Sequence, residues 1–171
     1  PFEINCLEIT ENQQEFAFDG FRMKAFRVNH SVICYGYSFM VDRAGRFDKD
    51  GAEEQQIPMK YWGRLQKGET IEEAGRVYTP DMVLGAARKG LKVTYCTDTR
   101  PTESIAENAA GADLLVLEGM YGEADKLVKA KENKHMTMYE AARIAKAAQV
   151  PELWLTHYSP SLTHPEEFLG E

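Results

Sequence analysis

Four histidines and two carboxylates occupy places where chemistry could be done. His30 closes the run "FRMKAFRVNH", Asp98 closes "KVTYCTD" and Glu118 closes "DLLVLE". His157 falls at the end of "LWLTH", His135 directly precedes a helix start, and His164 lies in the polar tail "SLTHPEEF". Imidazole and carboxylate together suit zinc, manganese or iron. Groups at strand ends meet at one edge of a sheet, held by rigid elements as a metal site requires. His30, Asp98 and His157 are therefore the candidate metal ligands. Spacing alone does not decide it, because no two of them stand as H-x-H or H-x-x-x-H. A lone histidine near a strand end is more often a hydrogen-bonded rim residue, and Asp98 could instead be a helix N-terminal anion or the partner of Arg100. Glu118 beside His135 would make a proton donor, an imidazolium whose charge is held by a carboxylate. The plainer reading of Glu118 is a strand-end charge facing water, and His164 reads as solvated.

The elements that must position these groups follow from periodicity. Residues 2–42 read as a β meander: "FEINCLEI", "EFAFDGF" with an Asp-Gly turn, and "FRMKAFRVNH" all alternate, and "VICYGYSFMV" is a nearly continuous apolar strand. Residues 42–78 lose that period and read as a loop or arm insertion, with one short helix around Met59 to Leu65. From Thr79-Pro80, an N-cap and first-turn proline, the pattern turns to α/β. The strands "KVTYCTD", "DLLVLE" and "LWLTHYS" alternate with helices over "TESIAENAA", "EADKLVKAKEN" and "MYEAARIAKAAQ". Thr137 and Glu140 form a capping box at the last helix, which carries Met138, Ala141, Ala142, Ala145 and Ala148 on one face. The expected class is α/β (α+β), a mixed sheet with helices on one face. The chain, 1–171, reads as a single partial domain. "CYGYSF" is core, whereas Tyr61 and Trp62 in "YWGR" read as more exposed aromatics.

A net charge of −7 argues against a broad basic surface for nucleic acid, leaving room for a local patch. Three cysteines, Cys6, Cys34 and Cys96, without a C-x-x-C pair, read as reduced thiols in a cytoplasmic protein. No apolar run reaches membrane-spanning length, so no membrane partner is expected.

The pieces "NHSVICYGYSF", "LQKGETI", "VTYCTDTRP", "HMTMYEAARIAK" and "LTHYSP" occur in the order and rough spacing of the second half of the ribonuclease Z family, tRNA 3′-end-processing endonucleases of the metallo-β-lactamase superfamily. The chain resembles that family over nearly its whole length. The resemblance implies the C-terminal half of an αββα sandwich. It also implies that Asp98 bridges two zinc ions, that His30 and His157 each ligate one of them, and that His135 donates a proton to the leaving oxygen with Glu118 as its carboxylate partner. Zinc is the implied cofactor, two ions per complete site, with manganese or iron as alternatives. A tRNA precursor, or another phosphodiester, is the implied substrate.

Three departures qualify this. The H-x-H-x-D-H motif that supplies the other ligands is absent, so neither metal has a full set. Where the family usually writes His-Glu-Ala-Thr, this chain has Leu117, Glu118, Gly119 and Met120. The Gly-Pro of the tRNA-gripping arm is missing at Met59 to Trp62, and Ser161 stands where an arginine is common. The reading is a fragment of a metal-dependent hydrolase, inactive alone. Its expected partners are the missing N-terminal half of the fold and a second copy in a homodimer, because an uncovered apolar sheet face seeks burial. The alternatives are another phosphodiester or ester hydrolase of the superfamily, and a non-catalytic interaction module.

Overall fold

The computed structural model describes residues 2–122 and 126–168. In chain order its elements are β1 (Gln13–Phe18), β2 (Phe21–Asn29), β3 (Ile33–Arg43), α1 (Lys49–Glu54), α2 (Met59–Gln66), β4 (Ile71–Glu73), β5 (Arg76–Tyr78), β6 (Arg88–Cys96), α3 (Glu103–Ala109), β7 (Leu114–Glu118), α4 (Leu127–Glu132), α5 (Met138–Ala148) and β8 (Leu153–Thr156). They fall into two units, one made of residues up to Val41 and from Leu91 onward, the other of Asp42–Gly90.

In the first unit six strands form one sheet in the order β1-β2-β3-β6-β7-β8. Strands β1 to β3 are antiparallel neighbours, and β6 to β8 are parallel. This is the expected mixed sheet. The β1–β2 turn is Asp19-Gly20, and Gly20 supplies the φ of +85° that a two-residue hairpin demands. Phe26, Cys96, Leu115 and Leu117 from the strands pack with Ile105 and Ala109 of α3 and with Ala141, Ile144 and Ala148 of α5. Gly36 is bare for a packing reason: a Cβ there would lie 2.4 Å from Cζ of the fully buried Phe26. Residues of the opposite parity, including Phe39, Leu91, Tyr95 and Trp154, are 38 to 57% exposed. Tyr95, Val116 and Trp154 stand in register across β6, β7 and β8.

Some local expectations change. "FEINCLEI" alternates but forms no strand; Phe2, Ile4 and Leu7 are exposed, and alternation makes a strand only where a neighbour offers its ladder. Thr79-Pro80 opens a single 3₁₀ turn, Pro80–Met82, rather than an α-helix. On α5 the buried set is Met138, Ala141, Ile144, Ala145 and Ala148; Ala142 faces out. The first residues of the expected helix over "EADKLVKAKEN", 123–125, lie outside the described residues.

The segment read as a loop carries regular structure. α1, α2 and the β4–β5 hairpin surround a small core of Ala52, Ile57, Tyr61, Leu65, Ile71, Tyr78 and Val83. Tyr61 is buried and its hydroxyl donates to Glu73; Trp62 packs on Phe47 and donates to the Ile57 carbonyl at 2.9 Å. These aromatics build a core, not an exposed stacking platform. Sequence periodicity misses it because the elements are too short to repeat a pattern. Among the described residues no helix is long and apolar enough to cross a membrane. The three cysteines are free.

Candidate metal centre

His30 follows β2 directly. Its Nδ1 lies 3.1 Å from the Lys134 carbonyl oxygen, which can only accept. The ring proton is thereby held on Nδ1, and the Nε2 lone pair is left for a cation. Asp98 lies two residues beyond β6, with a left-handed φ of +55° that turns the carboxylate out of the strand direction. Its Oδ2 accepts from the Thr97 hydroxyl at 3.1 Å, and its Oδ1 is 3.2 Å from His157 Nε2. His157 is the first residue after β8, also left-handed at φ +56°. Gly119 N donates to the Thr156 carbonyl at 2.8 Å and Ser159 N to the Met120 carbonyl at 3.0 Å, so the segment that follows β7 fixes the backbone on both sides of His157.

One ligand atom each from His30, Asp98 and His135 lies within 4.8 Å of the others. The His135 ring sits 5.1 Å from His30 and 5.4 Å from His157, centroid to centroid. His30 and Asp98 thus meet with His135, a residue expected as a proton donor; the expected ligand His157 stands outside that three-residue group and joins it through its 3.2 Å contact with Asp98. Two donors on one tetrahedral zinc stand about 3.3 Å apart, by the bond lengths and angle of such sites; the Asp98–His157 separation matches. Three imidazoles and a carboxylate, with His30 already held in the metal-binding tautomer, fit zinc, manganese or iron.

Glu118, the last residue of β7, is fully buried. One oxygen accepts from Thr99 N at 2.5 Å; the other lies 2.9 Å from His135 Nδ1 and 3.4 Å from Met136 N. It does not face water. It ties the Asp98 loop to the His135 loop. Burial pushes the Glu118 carboxyl up to about 7, against the lowering effect of the Thr99 and Met136 N–H groups. Burial, and then the neighbouring His30, lower His135. Desolvation thus drives both partners toward their neutral forms, and the hydrogen bond rather than a full ion pair holds them together. Gly119, the next residue, is bare because Met138 packs against it: a Cβ there would lie 2.9 Å from the Met138 side chain.

The two competing readings of Asp98 do not hold. Arg100 pairs with Glu140, its Nη1 2.9 Å from Oε2, and the α3 N-cap is Thr102. His164 stands apart, exposed, against Glu166 at 3.2 Å. Periodicity could not have revealed the Lys134 carbonyl, the Thr99 and Met136 amides or the Arg100–Glu140 pair, since backbone groups leave no sequence signal and the pair is separated by 40 positions.

A family profile described as a beta-lactamase superfamily domain matches residues 66–158. The chain belongs to the beta-lactamase superfamily. Within it, the chain is similar over its whole length to proteins named ribonuclease Z. It is 59% identical to that of Agathobacter rectalis and 57% to that of Lachnoclostridium phytofermentans, spanning 56% of each relative. It is 46% identical to that of Clostridium acetobutylicum, spanning 57% of it. The chain thus spans little more than half the length of these relatives. In fold it is similar to human tRNase Z, short form, with a TM-score of 0.54 at 22% identity, covering 88% of this chain and 42% of that one. The metallo-beta-lactamase fold protein YhfI from Bacillus subtilis gives 0.52 at 22%, with the same coverage.

Proposed function

We propose that this chain is the C-terminal, metal-binding part of a phosphodiesterase, an endoribonuclease that removes the 3′ trailer of tRNA precursors. The observation that carries the proposal is the cluster of His30, Asp98 and His135, with His157 against Asp98 and Glu118 buried behind His135. The likeness to proteins named ribonuclease Z over all of the chain supports the substrate class. In this reading His30, Asp98 and His157 are the residues that would hold zinc. A bound metal supplies Lewis acidity toward a phosphoryl oxygen. His135, with Nδ1 turned to Glu118, presents Nε2 to the cluster and hands a proton to the departing ribose oxygen. For this step His135 must carry the Nε2 proton as the imidazolium, and Glu118, against Nδ1, holds the ring in place and stabilises that charge until the proton leaves.

His135 also has the position of a ligand, since it shares the 4.8 Å cluster with His30 and Asp98. The two roles separate experimentally. As the donor, His135→Asn lowers kcat about 10²–10⁴-fold, as loss of a general acid does, and leaves zinc affinity intact. As a ligand, it lowers affinity.

That the chain spans 56% of its relatives supports a reading in which a segment outside this chain supplies the remaining ligands and covers the half-exposed sheet face. A homodimer and a cytoplasmic location complete the proposal; the three free thiols fit a reducing compartment. The direct test extends the chain upstream to the length of its relatives and assays it with zinc on a tRNA precursor and on a chromogenic phosphodiester. Trailer removal by the extended protein, with none by the chain alone, is expected. Cleavage of the chromogenic ester without trailer removal would assign a different phosphodiester. Loss of both activities in an extended, zinc-loaded protein would leave an interaction module.

A further inference from the structure

Three loops of the metal cluster meet at one residue, Arg100. Arg100 N donates to the Asn29 carbonyl at 2.9 Å, and Asn29 N donates to the Thr99 hydroxyl at 3.1 Å. These bonds lock the segment that follows Asp98 to the residue that precedes His30. The Arg100 side chain then reaches the opposite way. Its Nη1 donates to the His135 carbonyl and to Glu140 Oε2, and its Nη2 donates to Glu140 Oε1. Both side chains are largely buried, 14 and 16% exposed. Glu140 is itself fixed, because its Oε2 also accepts from Thr137 N at 3.0 Å in the capping box of α5.

We propose that Arg100, clamped by Glu140, is a positioning residue that sets the mutual spacing of His30, Asp98 and His135. The proposal rests on the metal centre of the preceding reading. A planar guanidinium can satisfy a carboxylate with two bonds and a carbonyl with a third in one fixed plane, which a flexible ammonium cannot. Asp98 has particular need of such support. Its left-handed backbone is costly for a non-glycine residue and survives only where neighbours over-determine it. Arg100 does this through its backbone on one side and its side chain on the other.

The test uses the protein extended to the length of its relatives, with zinc affinity measured by chelator competition beside kcat and KM on a chromogenic phosphodiester. Arg100→Gln and Arg100→Lys are each expected to weaken zinc binding about 10–100-fold, the usual effect of losing a partner behind the ligands. kcat falls with it while KM stays put, because substrate is not touched. Ile144→Ala, a core change in α5 away from the cluster, lowers the thermal midpoint but leaves zinc affinity unchanged. Wild-type zinc affinity in both Arg100 variants overturns the proposal, as does an equal loss in Ile144→Ala or a parent that binds no zinc. Should the Arg100 variants not fold, Glu140→Gln keeps the Thr137 bond through its amide oxygen and loosens only the guanidinium; a smaller loss of affinity is expected, and none overturns the idea. A parent that binds zinc yet cleaves no phosphodiester refutes the functional reading, and the affinity comparison still decides the role of Arg100.

Discussion

Asp98 and His157 both adopt left-handed backbone, at φ +55° and +56°, although neither is glycine. That conformation costs an L-residue about 1 kcal/mol or more. It is held from outside at Asp98 by the Thr99–Glu118 and Arg100–Asn29 bonds, and at His157 by the Gly119–Thr156 and Ser159–Met120 bonds. Asp98→Gly relieves the strain. The metal-free variant is expected to gain up to about 1 kcal/mol in chemical denaturation while zinc binding is lost. A destabilised Asp98→Gly would show the strain to be absent. Glu118 has the opposite character. Glu118→Ala strands two backbone N–H groups and the His135 ring in a dry site, at about 1–3 kcal/mol for each buried donor left unpaired. A clear drop in thermal midpoint is expected, and Glu118→Gln should recover part of it because one acceptor oxygen remains. Equal midpoints for the alanine and glutamine variants would argue against the buried network.

At the scale of elements, parallel β6, β7 and β8 all end at the same edge, so the residues just past each end are brought together without any local motif. The N-terminus of α5 closes the arrangement through Thr137, Glu140 and Arg100. This end of the helix is pH-sensitive. Burial alone would raise the Glu140 carboxyl, but the hydrogen bonds from Arg100 and Thr137 outweigh it and hold it below its ordinary value of 4.5. A carboxyl lowered in the folded state adds stability above its unfolded value, and that stability is lost as pH falls through the folded one. Denaturation curves recorded below about pH 4.5, the ordinary carboxyl value, should therefore show an acid-labile increment that Glu140→Gln abolishes. An unchanged acid limb in the variant would mean that the Arg100–Glu140 pair does not stabilise the fold.

For the whole molecule, the decisive feature is a sheet whose two faces differ. One is closed by α3 and α5, and the other leaves Phe39, Leu91, Tyr95 and Trp154 between 38 and 57% exposed. An apolar surface of this kind draws a partner. In sedimentation velocity the isolated chain is expected to self-associate, and the upstream-extended protein should run as a defined species. Trp154→Thr with Tyr95→Thr should shift the isolated chain toward monomer, while destabilising the extended protein. A compact, stable monomer of the unmodified chain would count against the missing layer. The unit at 42–90 has its own small core, and we propose that it, rather than residues 42–78 alone, is the insertion within the domain.

The sequence showed which residue types close the strands, His30, Asp98 and Glu118, and that runs ending this way deliver them to one sheet edge; it did not show that His135 would stand with His30 and Asp98 or that Glu118 would be buried. The capping box of Thr137 and Glu140 was equally local, and it is present as expected. Periodicity failed where stability comes from partners distant in sequence. It made a strand of residues 2–9, which pair with no neighbour among the described residues, and in the 42–90 unit it found the helix around Met59 to Leu65 but not α1, the β4–β5 hairpin or the core they share. Nor could it choose between Arg100 and His157 as the neighbour of Asp98. Tertiary structure decided that, because burial directs the guanidinium to Glu140 and strand order brings His157 to within 3.2 Å of the carboxylate. Local sequence sets what each residue can bind, and only the packed sheet sets which residues are close enough to bind together.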